Sequence, residues 1–128
     1  MRDGAVEDRK TLKRAGWVIQ LRPGAREQYR RLHENVWLEV RNRMHEAGIE
    51  RYTIFVRDNL LFSYMEYRGE FDDVQAFIES HDETQRWWKL TEPLQNPLES
   101  ADPGEWWVRM DEVIDLNTSM ESTRTELA

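Results

Sequence analysis

A single histidine, His33, falls within the apolar stripe of a predicted helix. Tyr29 and Trp37 stand four residues before and after it, and residues four apart share one face of an α-helix. Because imidazole titrates near neutral pH, a sheltered ring between a phenol and an indole could donate or accept a proton. The same spacing is typical of a hydrogen-bonded core histidine, and the helical pattern alone leaves both interpretations open.

Three more aromatic side chains could hold a ligand beside such a histidine. Tyr52 opens a predicted strand, and Trp87 and Trp88 are adjacent on a predicted helix, so that their rings point about 100° apart. One packing site cannot accommodate both tryptophans, and we expect one in the core and the other lining a cavity. Flat aromatic rings beside hydroxyl and imidazole groups are typical of a sugar site. Packing in the core or the sheet is the alternative for each ring.

The other two histidines have simpler interpretations. His45 falls at the exposed end of the same helix, and His81 lies next to Asp82, where a later helix begins. The three histidines do not cluster, and the chain has no cysteine, which excludes disulfides, thiolate nucleophiles and zinc–thiolate sites. No glycine-rich phosphate loop is present. We therefore expect neither a metal nor a cofactor.

Composition narrows the class of protein further. The 128 residues suffice for one domain, and six Trp, four Tyr and four Phe predict an aromatic-rich interior or pocket. A net charge of −7 argues against nucleic acid as a partner, since phosphates require a basic surface. No apolar run approaches the roughly 18 residues of a membrane span, and the first residues do not resemble a signal peptide. These features predict a cytoplasmic protein that does not bind membranes.

Hydrophobic periodicity predicts a single ferredoxin-like domain at 13–116, between a polar arm at 1–12 and a polar tail at 117–128. One long helix carries His33 and runs to about Ala47, where Gly48 ends it. The other elements are strands at 15–21, 51–56, 60–67 and 106–114, and helices at 71–78 and, with Asp82 as its cap, from 82 to about 90. The order β-α-β-β-α-β predicts an α+β fold with a four-stranded antiparallel sheet and helices on one face. The open face needs a partner or a ligand. In the last strand, Trp106 and Trp107 would face the core and an interface.

Five segments together form a specific pattern, and they are Tyr29-x-x-x-His33-x-x-x-Trp37-x-Glu39, Gly48-x-x-x-Tyr52-x-Ile54, Asn59-Leu60-Leu61-Phe62, Gln85-Arg86-Trp87-Trp88-Lys89 and Glu112-Val113-x-x-Leu116. In these segments the chain resembles the L-rhamnose mutarotases, a family of small ferredoxin-like α/β dimers. At two positions where the family usually has proline, this chain has Asn35 and Leu38.

The resemblance implies an isomerase that interconverts the α and β anomers of L-rhamnose, or of a related 6-deoxyhexose, as a homodimer without a cofactor. It implies that His33 is the proton donor and that Tyr29, Tyr52, Trp87 and Trp88 contact the sugar. Two alternatives remain, because fold alone does not decide chemistry. One is a cofactor-free monooxygenase or haem-related enzyme of the same fold, and the other is a sugar-binding module without catalysis.

Overall fold

In a computed structural model that describes residues 12–116, the chain forms a curved antiparallel sheet with four helices. The elements are β1 (Leu12–Leu21), α1 (Arg26–His33), α2 (Leu38–Ala47), β2 (Ile49–Arg57), β3 (Leu60–Arg68), α3 (Phe71–Glu79), α4 (Asp82–Thr91), a 3₁₀ turn (Glu92–Leu94), β4 (Gln95–Asn96) and β5 (Val108–Met110). Strand order is β2-β3-β1-β4, and β5 also pairs with β1.

The ferredoxin-like α+β fold is confirmed. The hairpin of β2 and β3 turns through two residues, Asp58 and Asn59, and Asp58 takes the left-handed conformation with φ 53°. Of the predicted polar extensions, only Leu12 is described, as the first residue of β1; the rest lies outside the described residues. None of the helices within 12–116 has the length and apolar character that crossing a membrane requires.

The predicted long helix through His33 is wrong. α1 ends at His33, and Trp37 has the extended angles φ −55° and ψ 137° before α2 begins. The Glu34 N–H bonds the carbonyl of Arg31, three residues back, which tightens and ends α1. The helix is interrupted here although the chain has Asn35 and Leu38 where the family usually has proline. The interruption therefore does not require proline. Tyr29 therefore lies in α1, whereas Trp37 is the N-cap residue of α2.

The predicted last strand at 106–114 is also wrong in extent, since only Val108–Met110 pairs with β1. Continuing this register would set Trp106 opposite Gln20, but Gln20 already pairs with Asn96 of β4. Two short strands therefore share the edge that one strand was predicted to fill. Trp106 and Trp107 precede β5 and do not alternate across it. The helix predicted from Asp82 is present, but its N-cap is His81.

The inner face of the sheet packs against the helices through two groups of buried residues. β1 and β3 alternate regularly, so that Ile19 lies opposite Leu61 and Ala15 opposite Met65 on this face. One group holds Ala15, Ile49, Met65, Tyr67, Val74 and Ile78, and the other holds Ile19, Leu21, Ala25, Tyr29 and Leu61. Tyr29, which is a predicted sugar-contacting residue, is thus also part of the core.

Gly48 links α2 to β2 in a conformation that other residues rarely adopt, with φ 108°. A Cβ atom there would lie 2.9 Å from the carbonyl oxygen of Arg68. We expect Gly48→Ala to lower the free energy of unfolding by roughly 1–3 kcal/mol, measured by urea denaturation. Gly24→Ala is the matched control, because Gly24 has φ 81° but no atom within 4 Å of the added carbon. Equal losses in the two variants would contradict the predicted clash.

Candidate functional site

All five predicted site residues line one cavity of about 560 Å³ between the helices and the inner face of the sheet. Its volume lies within the range of roughly 300–1,000 Å³ that small-molecule sites occupy. Apolar side chains from β2, β3 and the helices make up most of the wall. The five residues are Tyr29, His33, Tyr52, Trp87 and Trp88.

The cavity contains a stack of aromatic rings at the end of α1. The Tyr29 and His33 rings lie 4.4 Å apart between centroids, and the rings of His33 and Trp87 meet edge-to-face with 5.4 Å between centroids. Trp37 does not stack on His33 as one continuous helix would require. It packs instead on Trp87, with 5.3 Å between the ring centroids. Trp87 therefore contacts both His33 at the end of α1 and Trp37 before α2.

The imidazole of His33 is oriented by a hydrogen bond to its own helix. Its Nδ1 lies 2.8 Å from the backbone carbonyl oxygen of Tyr29. A carbonyl only accepts hydrogen bonds, so Nδ1 carries the proton and Nε2 has a lone pair in the neutral ring. Among residues 12–116, Nε2 has no hydrogen-bond partner. Burial lowers the pKa of His33 below 6.5, against a smaller opposing effect of the bond to Tyr29, and the ring is therefore neutral at pH 7.

The hydroxyl of Tyr29 belongs to a buried chain of hydrogen bonds. The Nε2 of Gln95 donates to this hydroxyl at 3.0 Å, and the Oε1 of Gln95 accepts from the indole N–H of Trp106 at 2.7 Å. Tyr29 and Gln95 are 4% and 3% exposed. Burial raises the pKa of Tyr29, and the nearby Tyr52 raises it further, so the phenol keeps its proton. Sequence reasoning missed Gln95, which lies between two prolines in a segment predicted as loop.

A β-bulge turns Tyr52 toward the cavity. The register of β2 on β3 shifts between Ile49 and Arg51, so Ile49 and Tyr52 both face inward although they are three residues apart. The ring is 40% exposed at the sheet edge, but the hydroxyl is enclosed. Burial raises the pKa of Tyr52 to about 12, and a hydrogen bond with the Ser63 side chain opposes the rise. Sequence reasoning also missed Ser63, an inward residue of β3.

The two adjacent tryptophans occupy different surroundings. Trp87 is buried against His33 and Trp37, and Trp88 is half-buried against the core group that includes Ala15 and Met65. Both line the cavity, whereas their spacing on the helix alone predicted one in the core and one at a cavity.

Of the three histidines, all of them within the described residues, only His33 lines this cavity. The ring of His81 also bonds a carbonyl four residues back, that of Phe77 at 2.7 Å, but it does so outside the cavity. His45 lies in the last turn of α2, facing a second, more open cavity of about 640 Å³. His33 and Tyr52 are among the residues that line both cavities.

The family model described as L-rhamnose mutarotase matches residues 14–116 of this chain. A UPF0734 protein of Dictyostelium discoideum is 35% identical over 97 residues, covering 71% of this chain and 78% of its own. An L-rhamnose mutarotase of Escherichia coli is 36% identical over 78 residues, covering 59% and 73%. The crystal structure of an L-rhamnose mutarotase from Formosa agariphila superposes with a TM-score of 0.63 at 19% identity, covering 80% of this chain and 97% of that one.

The sheet, the helices and the aromatic cavity define a ferredoxin-like α+β protein with a cavity of the size that small-molecule sites have. The chain belongs to the L-rhamnose mutarotase family, whose members are carbohydrate isomerases.

The hydrogen bond from His33 to Tyr29 predicts a specific state of the imidazole. We expect long-range ¹H–¹⁵N NMR to find the neutral ring with its proton on Nδ1 and a pKa below 6.5. The desolvated ring resists the second proton until the solution is more acidic. A His33→Gln variant assigns the resonance. A proton on Nε2, or a midpoint above 6.5, would contradict this description.

Proposed function

We propose that this protein interconverts the α and β anomers of L-rhamnose or of a related 6-deoxyhexose. The observation that carries the proposal is the unpartnered Nε2 of a neutral His33 in a cavity that also holds the hydroxyls of Tyr29 and Tyr52. Family membership supports the reaction, and the cavity volume suits a monosaccharide.

Mutarotation requires two proton movements and no net change in the sugar. When the bond between C1 and the ring oxygen breaks, the ring oxygen gains a proton and the anomeric hydroxyl loses one. The aldehyde at C1 then rotates, and closure on its other face reverses both transfers. A group that both accepts and donates protons near neutral pH is therefore sufficient, and no redox chemistry is involved.

His33 fits this requirement in a particular order. At neutral pH its Nε2 is unprotonated, so it first accepts the proton of the anomeric hydroxyl as the ring opens. The resulting imidazolium is the proton donor when the ring closes. Burial raises the pKa values of Tyr29 and Tyr52, so both hydroxyls carry their protons when the sugar binds. The two hydroxyls orient the sugar, and one of them gives its proton to the ring oxygen as the ring opens and takes it back as the ring closes.

The two tryptophans account for binding of the apolar parts of the sugar. A 6-deoxyhexose presents C–H groups on one face and a methyl group in place of the terminal hydroxyl. Trp87 and Trp88 both line the cavity, and their rings offer flat apolar surfaces for these groups. Trp87 also packs edge-to-face with His33, which sets the apolar face of the sugar beside the proton-transfer group.

The test is magnetisation exchange between the α and β anomeric protons of L-rhamnose by NMR. We expect the wild-type protein to accelerate exchange and His33→Ala to lose roughly 10²–10⁴-fold, the usual contribution of an acid–base group. The matched control is His81→Ala, which removes the same kind of bond to a carbonyl four residues back, outside the cavity. Wild-type activity should fall on acidification with a midpoint below 6.5, where His33 protonates.

Three results would contradict the assignment. Exchange of L-rhamnose and related sugars at the uncatalysed rate would exclude the mutarotase, and sugar binding without acceleration would favour a binding module. Equal activity of His33→Ala and wild type would remove His33 from the mechanism.

The outer face of the sheet supports a homodimer. A row of apolar residues crosses it, because Phe55 pairs with Phe62, Phe62 with Val18 and Val18 with Val108. Phe55 at one end of this row is 62% exposed. A two-fold axis would set this row against the same row of a second copy and bury both.

Sedimentation velocity tests the dimer. Phe55→Asp introduces a charge into the row, and we expect it to shift a micromolar dimer toward monomer. Leu38→Asp is the control, since Leu38 is equally exposed at 62% but lies at the start of α2. A wild-type protein that sediments only as a monomer at this concentration would exclude the proposed dimer.

A further inference from the structure

We propose that Gln95 is a positioning residue that makes the Tyr29 hydroxyl a hydrogen-bond donor toward the sugar, with Trp106 determining which way the Gln95 amide faces. This inference rests on the proposed mutarotase function and adds to it the residues that give Tyr29 its polarity.

The first step is the orientation of the Gln95 side chain. An indole N–H only donates hydrogen bonds, and that of Trp106 lies 2.7 Å from one terminal atom of Gln95. That atom must accept, so it is the oxygen Oε1. The reversed amide would set two donors against each other and leave the buried Gln95 –NH₂ group without an acceptor, at a cost in free energy. Trp106 therefore directs the amide –NH₂ group toward Tyr29.

The second step is the polarity of the Tyr29 hydroxyl. Its oxygen accepts from Nε2 of Gln95 at 3.0 Å. The Tyr29 hydroxyl cannot donate its own proton to the Gln95 –NH₂ group, because that nitrogen is already the donor. Within the part of the chain that the structure describes, the hydroxyl proton has no acceptor. Both side chains are almost fully buried, so bulk water does not reorder these bonds. The O–H of Tyr29 is left for the occupant of the cavity.

The third step connects this polarity to the reaction. Negative charge grows on the ring oxygen as its bond to C1 breaks, and a hydrogen bond to that oxygen strengthens with the charge. A Tyr29 that donates assists this step, whereas a Tyr29 that accepts does not. Loss of the orientation should therefore appear in kcat more than in KM.

Gln95→Glu reverses the polarity while preserving the size of the side chain. At pH 8 the carboxylate accepts from both Trp106 and Tyr29, so the Tyr29 proton turns away from the sugar. We expect kcat to fall roughly tenfold to a hundredfold, the usual effect of one misdirected buried hydrogen bond. At lower pH, the carboxyl group of this variant is protonated, donates to Tyr29 and still accepts from Trp106. The ratio of variant kcat to wild-type kcat should therefore rise toward one between pH 8 and pH 5.

The ratio of variant kcat to wild-type kcat distinguishes the effect of the Tyr29 O–H orientation from other effects of the substitution. Titration of His33 affects both proteins and largely cancels in the ratio. Gln28→Glu makes the same change of charge at an exposed position of α1 beside Tyr29, and its ratio should stay near one at every pH. Trp106→Phe removes the indole N–H, so the Gln95 amide is free to turn, and kcat should fall two- to tenfold. The ratio of this variant's kcat to the wild-type kcat should not change with pH. This variant also tests the inference if Gln95→Glu does not fold, which ¹H–¹⁵N spectra of the indole N–H groups would reveal.

The outcomes for the two hypotheses differ. If the wild-type protein does not accelerate anomer exchange of any 6-deoxyhexose, the proposed function is overturned, whatever the variants do. An active wild type with a Gln95→Glu ratio near one at pH 8 overturns the role of Gln95. A loss that persists unchanged down to pH 5 reflects structural damage and overturns it as well, as does full activity of Trp106→Phe.

Discussion

The burial of Tyr29 against the inner face of the sheet is the contact on which the site depends. Its ring packs in the core with Ile19 and Leu61, which fixes α1 on the sheet. Its carbonyl then holds the imidazole of His33, and its hydroxyl accepts from Gln95. One core residue thus orients His33 and connects α1 to Gln95 of β4. The packing of Tyr29 in the core and its two hydrogen bonds to the site therefore depend on the same residue.

The site contrasts electrically with the rest of the molecule. The chain has a net charge of −7, yet the titratable groups that meet at the aromatic stack are held neutral. Burial lowers the pKa of His33 and raises those of Tyr29 and Tyr52, so each disfavours its charged form. A neutral acceptor beside two neutral donors suits a neutral sugar, whose conversion moves protons and leaves no net charge.

His33 and His81 show that local geometry alone does not make a site. Each stacks on an aromatic ring four residues earlier and bonds the carbonyl of that residue, at 2.8 Å and 2.7 Å. For His81 this arrangement lies at the start of α4, outside the cavity. For His33 it lies beside Trp87 and Tyr52. The same helical motif thus gains a candidate chemical role only where other elements enclose it.

The sequence by itself determined the features that depend on neighbouring residues. The alternation of β1 and β3, the two-residue turn at Asp58 and the spacing of α3 and α4 are all local, and the aromatic residues singled out from their types do line one cavity. Only the tertiary structure decided the break after His33, the divided edge of β1 and the inward turn of Tyr52. The same is true of Gln95, which meets Tyr29 across 66 positions of chain. The divided edge of β1 and the bond of Gln95 to Tyr29 join segments far apart in the chain. A buried donor or acceptor must find its partner wherever the fold brings one, and no local spacing records that partner.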